Sequence, residues 1–311
     1  MATVQNVTTI RPLWRRIVDF PLVSMVIAMA TFMLASFLTT LAMRTLPLEK
    51  GGLKTLVGAA IIITLVLIGY KLVIRRLGEQ PRDDLAARQA LRDLGLGLGG
   101  GFLLFSLVVG VAALADVYNI VGEGSTATLL MTLVTVAILP GFIEEVLFRG
   151  ILFRFLEDFG GSWFALALTS ALFGLSHYWN DNATAFSSFA IAVEAGVLLG
   201  GAYLLTRSLW APIGLHAAWN FTQGFVYDVP VSGFDQTGLV EAKLSGPEYL
   251  SGGTFGLEAS VIALVIATGA GIWLVVRAVR AGQVVRPWWV RRRLARSQEA
   301  VWIDVDGGAD L

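Results

Sequence analysis

LVSMVIAMATFMLASFLTTLAM, residues 22–43, decides the class of fold. The run contains no charged side chain, and roughly 20 apolar residues in a helix are enough to cross the hydrocarbon core of a bilayer. Arg11, Arg15 and Arg16 precede it, as in a signal peptide. The run is too long for a signal core and lacks a small-residue cleavage site, so it is expected to remain as a first membrane helix. Seven further stretches of similar character follow, at 53–74, 95–115, 130–154, 161–180, 184–205, 208–228 and 257–276. The fourth is unusual, because Glu144, Glu145 and Arg149 interrupt it.

Composition points the same way. Of 311 residues, 56% are hydrophobic and 15% charged, with a mean hydropathy of +0.72. Soluble domains carry about 25% charged residues, so lipid is the solvent this chain suits. A net charge of zero argues against a nucleic-acid partner, and the absence of cysteine removes disulfides, a thiol nucleophile and thiolate metal sites. The expectation is an all-α polytopic membrane helix bundle of about eight transmembrane helices. Its parts are a cytoplasmic N-tail (1–21), a transmembrane domain (22–276) and a basic cytoplasmic C-tail (277–311). No repeat or second domain is visible.

Lys and Arg fix the orientation of such a bundle, because cytoplasmic connections carry their excess. Eight alternating spans put eighteen of them on the side of both tails. Arg44, Lys50, Lys54 and Lys243 stand opposite, and Arg149 lies within the membrane. Both termini are therefore expected in the cytoplasm of a protein integral to the cell (plasma) membrane. The charged stretch 78–93 reads as a short amphipathic surface helix, and 229–254 as a polar external loop. Trp288 and Trp289 beside Arg291, Arg292 and Arg293 read as an anchor on anionic lipid. The end, 304–311, is expected to be disordered.

Ionisable groups at membrane depth cost about 2.5–3.5 kcal/mol each on insertion scales, so each demands a reason. The only two histidines, His177 and His216, fall inside spans, together with Glu144, Glu145, Arg149 and Glu194. Residues four apart share a helix face. Glu145 and Arg149, Phe173 and His177, and His216 and Asn220 are so related, which gives three helices one polar stripe each. Packing these stripes together builds a single polar cavity. Glu145–Arg149 reads as a self-neutralising, mainly structural pair. Glu144 has no basic residue three or four positions away, and a buried carboxylate without a counter-ion suits a general base. Helix rise gives one conflict. Glu144 lies about 15 Å in from Arg154 and His216 about 14 Å in from Arg207, but His177 lies about 24 Å from Gly161. A tilted fifth helix, or one starting below the surface at Gly160-Gly161, would remove the discrepancy.

These residues carry a resemblance. Glu144-Glu145-Val146-Leu147-Phe148-Arg149 is similar to the EExxxR motif of the CPBP family of CAAX-protease and bacteriocin-processing (Abi) membrane proteins. Phe173-Gly174-Leu175-Ser176-His177 resembles its FxxxH, and His216-Ala217-Ala218-Trp219-Asn220 its HxxxN/D, in the same order. The approach to the last motif, through Gly196, Gly200, Tyr203, Thr206 and Ser208-Leu209-Trp210-Ala211-Pro212, is also similar. The resemblance covers about 130–225, which would be the peptidase core. It implies an intramembrane endopeptidase acting on a membrane-associated peptide or protein substrate. Glu144 would activate water, His177, His216 and Asn220 would line the pocket, and Glu145 and Arg149 would support it. Members are filed both as metalloproteases and as glutamate-dependent peptidases, so the cofactor is none or zinc. If zinc is used, its ligands would be His177 and His216. Absence of HExxH, and the loss of the base if Glu144 were a ligand, favour a metal-independent or metal-optional mechanism. Two other readings stay open: a proton-coupled transporter, since deep Glu and His also build proton relays, and a non-catalytic membrane scaffold of the same fold. Glu194 belongs to no motif. It either meets a polar group across the cavity or faces Arg207 along its helix.

Overall fold

The structure, a computed structural model, describes residues 12–295 and 297. Residues 1–11 of the N-tail and the end expected to be disordered, 304–311, lie outside the described residues. The described chain is a helical bundle. Its principal helices are α1 (Pro21–Thr45), α2 (Gly52–Leu72), α3 (Ala87–Leu114), α4 (Leu129–Gly160), α5 (Ser162–Ser176), α6 (Ala185–Thr206), α7 (Trp210–Phe221) and α8 (Val261–Arg280). Each matches one apolar stretch of the sequence. Six are long and apolar enough to cross a membrane. The other two, α5 and α7, have 15 and 12 residues. From Ala211 to Asn220 α7 is buried throughout, and a helix enclosed by its neighbours need not match the thickness of lipid.

Three expectations about the connections need correction. The stretch 78–93 is not a separate surface helix, since its second half forms the first turns of α3. The segment 229–254 is not simply an external loop. Its strand β2 (Val240–Leu244) pairs antiparallel with β1 (Tyr118–Glu123), with Tyr118 opposite Leu244 and a bulge between Ile120 and Gly122. Val229 and Val231 from the same segment are buried in the bundle. The fourth helix does not stop at Arg154 but runs to Gly160.

That last correction removes the depth conflict between Glu144 and His177. Glu144 precedes Gly160 by the same sixteen residues by which His177 follows Gly161. Counted from the shared turn, both lie about 24 Å along their helices at 1.5 Å per residue. Gly161 makes the turn at φ +84, a region other residues adopt at a cost. A Cβ there would lie 2.9 Å from the Val285 carbonyl. The Val285 carbonyl and amide bond the Ser162 amide and hydroxyl, at 3.0 and 2.8 Å, and so bind the segment after α8 to the start of α5.

Arg154 looked like a water-side charge, yet only 1% of it is exposed. Its guanidinium donates to the carbonyls of Arg82 and Leu77 at 3.1 and 3.2 Å and lies 3.7 Å from the Asp84 carboxylate. Tyr203 donates to Asp84 at 3.0 Å, and Arg207 forks onto Glu157 at 2.5 and 3.1 Å. This network gathers the end of α2, the start of α3, the end of α4 and the end of α6 at one pole of the bundle. The basic side chains on that pole therefore hold the fold as well as weight its orientation. Trp288 packs edge-on against Phe20, and Glu79 accepts from Trp288 at 3.2 Å and from Arg292 at 2.5 Å. Burial alone would raise the Glu79 carboxyl, but these hydrogen bonds and the Arg292 charge outweigh it and hold it below its ordinary range. Arg291 donates to the Asp158 carbonyl at 2.6 Å. The segment expected to anchor on lipid is thus docked largely on the protein itself.

Between α3 and α7 the backbones approach so closely that side chains are excluded. A Cβ on Gly97 would lie 2.2 Å from the Ala211 carbonyl, and one on Gly101 would lie 2.3 Å from the Leu215 carbonyl. Small residues permit this packing in membranes, where no hydrophobic force drives helices together. Gly97→Ala should therefore lower the melting temperature in detergent, at a cost of about 1–3 kcal/mol for overpacking. Gly99 faces open space, so Gly99→Ala should leave the melt unchanged or raise it. Equal melts for the two variants would contradict the packing described.

Candidate active site

The site begins with the shape of α4. Its α-helical middle, Leu139–Glu145, is flanked by two π-helical stretches, Thr132–Ile138 and Val146–Phe153. Such turns recur at functional sites, and the first has a visible cause. In an α-helix the Val136 carbonyl would be met by the amide of residue 140, which is a proline and has none. The side-chain amide of Asn220 donates to that carbonyl instead, at 2.9 Å. Asn220 therefore ties α7 to α4, with one amide hydrogen left over.

Successive residues on an α-helix point about 100° apart, so Glu144 and Glu145 face different surroundings. Glu145 is fully buried. One of its oxygens, Oε1, accepts from Arg149 Nη1 at 2.8 Å and from His216 Nδ1 at 3.0 Å. Arg149 is also fully buried. Its Nη2 donates to the carbonyls of Ala195 and Gly196 at 3.3 and 3.4 Å, and its guanidinium carbon lies 4.8 Å from the centre of the Phe173 ring. The i, i+4 pair read from the sequence thus reaches α6 and α7 as well. Phe173 sits at the centre, edge-to-face with Phe148 at 4.9 Å and 6.1 Å from the His216 ring.

His177 closes α5 in a single 3-10 turn, His177–Trp179. Its Nδ1 lies 2.8 Å from the Phe173 carbonyl. A carbonyl only accepts, so Nδ1 carries the proton and Nε2 is the nitrogen left with a lone pair. The same holds for His216, whose Nδ1–H donates to the Glu145 carboxylate. Glu144 is half-buried, and its Oε2 has no hydrogen-bond partner among the described residues.

Glu144, His177, His216 and Asn220 all line one cavity of about 740 Å³, with Thr135 and Pro140 of α4 along its wall. Its roof comes from the segment that holds β2. Val231, Ser232, Phe234 and Gln236 line it there, and Asn180 and Asn182 donate to the carbonyls of Ser232 and Gly233 at 3.1 and 2.9 Å. Glu145 and Arg149 stand behind this wall. Among the described residues no three His, Cys, Asp or Glu side chains are arranged to hold a metal ion.

A second cavity, of about 430 Å³, adjoins the first and shares His177, His216, Asn220 and Ser232 with it. Glu194 lines it from α6 and Glu258 from the turn before α8. Glu194 therefore does not face Arg207, whose guanidinium is committed to Glu157. Glu258, near the start of the last apolar stretch, was not singled out in the sequence. It is 4% exposed, and one carboxylate oxygen accepts from the Ser232 amide. Gln223 was also overlooked. It accepts from Trp219 Nε1 at 3.1 Å and donates to the Pro230 carbonyl at 2.5 Å, holding the roof. For Gln223 the only sequence signal was its spacing of four from Trp219.

The geometry separates the two glutamates energetically. Glu145→Gln should destabilise the protein by about 3–5 kcal/mol, because it leaves the buried Arg149 without its counter-charge. Glu144→Gln removes no ion pair and should melt close to the wild type. A joint Glu145→Gln, Arg149→Met change should regain part of the loss. Thermal melts in one detergent compare all three, and equal melts for the two single variants would contradict the assignment.

No curated protein and no solved structure is significantly similar to the chain. Residues 126–222, which hold α4, α5, α6 and α7 and with them both histidines and the Glu144–Arg149 stretch, match the family described as Type II CAAX prenyl endopeptidase Rce1-like. Through this segment, about a third of its length, the chain is similar to the type II CAAX prenyl endopeptidases.

Proposed function

We propose that this chain hydrolyses peptide bonds of membrane-associated proteins or peptides at the cavity bounded by Glu144, His177, His216 and Asn220. One observation carries the reading. A carboxylate without a counter-ion faces the same cavity as two imidazoles whose Nδ1 atoms are both committed elsewhere. Glu144 takes a proton from a water molecule, whose oxygen attacks the scissile carbonyl carbon. His177 Nε2 accepts that water's other hydrogen, and His216 Nε2, once protonated, passes its proton to the leaving amine. The second amide hydrogen of Asn220 donates to the developing oxyanion. Arg149 and Glu145 act from behind, fixing the His216 ring and its tautomer.

An apolar groove of about 1120 Å³ runs along adjacent faces of α4 and α7, lined by Leu133, Phe142, Trp210 and Phe221 with Leu98 and Phe102 of α3. The apolar part of a membrane-embedded or lipid-anchored substrate fits such a surface while its backbone enters the polar cavity. Neither a proton-coupled transporter nor a non-catalytic scaffold gains support from a specific observation.

Orientation follows from charge. The ionic pole carries Lys71, Arg75, Arg82, Arg154 and Arg207, so it lies in the cytoplasm, and the sheet and the roof of the cavity lie on the opposite side. Reporter fusions after Leu311 should be cytoplasmic; an external signal would reverse this orientation. Activity provides the sharper test. Glu144→Gln should fold normally yet lose cleavage of membrane peptides by 100-fold or more, within the range of about 10²–10⁴ for a positioned acid or base. Full activity in the folded variant would remove Glu144 from the mechanism.

A further inference from the structure

Glu194 and Glu258 have no part in the mechanism above. Both are buried, at 2% and 4% exposure, and both line the cavity that adjoins the site. Neither forms an ion pair among the described residues. Oε2 of Glu194 has no hydrogen-bond partner there, and Glu258 accepts from the Ser232 amide. The charged and titratable groups around them come from every neighbouring element. His177 follows α5 and His216 lies on α7, both on the shared cavity wall. From α4, Arg149 reaches the backbone of Ala195 and Gly196 beside Glu194, but its charge is matched by Glu145. On the α8 side the lining residue is Ala267. Two carboxylates left ionised in such a space repel each other without a compensating cation, and one proton held between them removes the repulsion.

We propose that Glu194 and Glu258 form a one-proton carboxyl pair that serves as the proton store of the peptidase site, linked to His216 Nε2 through their shared cavity. The proposal rests on the peptidase reading given above and supplies a step that reading needs. With Nδ1–H donated to Glu145, neutral His216 has only a lone pair on Nε2 and cannot protonate a leaving amine. The carboxylic acid of the pair gives its proton to Nε2 through cavity water, and Nε2–H then passes a proton to the amine nitrogen as the C–N bond breaks. The proton that Glu144 took from the attacking water returns to the pair through the two adjoining cavities. One water is consumed, and the pair ends the cycle as it began. Glu194 and Glu258 are positioning residues in this scheme, since they touch the substrate only through His216.

Two measurements test it on the full-length protein in detergent. Infrared difference spectra across a pH titration should contain the C=O stretch of one buried carboxylic acid. Both Glu194→Gln and Glu258→Gln should abolish or shift that band while melting at or above the wild-type temperature. A wild-type band unchanged in both variants overturns the pair. Cleavage of a membrane peptide should then fall at least tenfold in kcat for each variant with little change in KM, and the alkaline limb of the pH profile should move to lower pH. A purely structural role would leave that limb in place, and unchanged kcat and pH profile overturn the store. If the band behaves as expected but the wild type cleaves no peptide under any condition, the peptidase reading fails and the pair stands. A band lost on adding sodium or calcium chloride would mean that the pair binds a cation, and overturns the proton assignment.

Discussion

A single oxygen organises the centre of this bundle. Oε1 of Glu145 accepts from both Arg149 and His216, and Arg149 continues to the carbonyls of Ala195 and Gly196. Three helices are thereby held by one fully buried charge pair. Taking two ions out of water is costly, and their mutual attraction repays it only when further hydrogen bonds complete the set. Here the imidazole and two backbone carbonyls supply those bonds, and the face of Phe173 covers the guanidinium. Without Arg149 the carboxylate would have no counter-ion at this depth, and without the carboxylate the His216 ring would lose both its orientation and its tautomer.

The geometry of α4 follows from a related constraint. Pro140 deprives the Val136 carbonyl of its helical donor, and in a bilayer no water is present to replace it. The Asn220 amide satisfies the carbonyl, which brings α7 to the same level as the carboxylates. An unmet backbone group and an unmet charge are thus both satisfied from α7, four residues apart, and this fixes the register between the two helices. The glycine contacts between α3 and α7 hold α7 from its other side.

The far pole is arranged on the same principle with more members. Arg82, Arg154 and Arg207 meet Asp84 and Glu157, and the segment after α8 closes over the α4–α5 turn. Polar networks at both levels leave the apolar faces of α1, α2 and α3 toward lipid, where Phe37, Leu72 and Leu103 are exposed. The candidate site thus lies between an ionic pole and a roof of irregular chain. The roof is held mainly by the side chains of Asn180, Asn182, Gln223 and Glu258.

The sequence by itself determined the helical membrane class, the number of apolar stretches and the residues that pay for being buried. These are one-dimensional properties: run length, the scarcity of charge, and a spacing of four that places Glu145 with Arg149 and His216 with Asn220. It could not give the partners of those residues. That His216 meets Glu145 and not Glu144, and that the Asn220 amide goes to a backbone carbonyl, depends on helix rotation and register, which Pro140 and the π-helical stretches set. Arg154 was read as a water-side charge, and Glu157 and Glu258 drew no notice, for the same reason. Each sits at the edge of an apolar run, and only a neighbour distant in sequence makes its burial tolerable: Asp84 for Arg154, Arg207 for Glu157 and the Ser232 amide for Glu258. The pairing of β1 with β2 joins segments more than 100 residues apart and left no local pattern to read. Burial of a charge is decided by its three-dimensional partners, so only the tertiary structure could decide it.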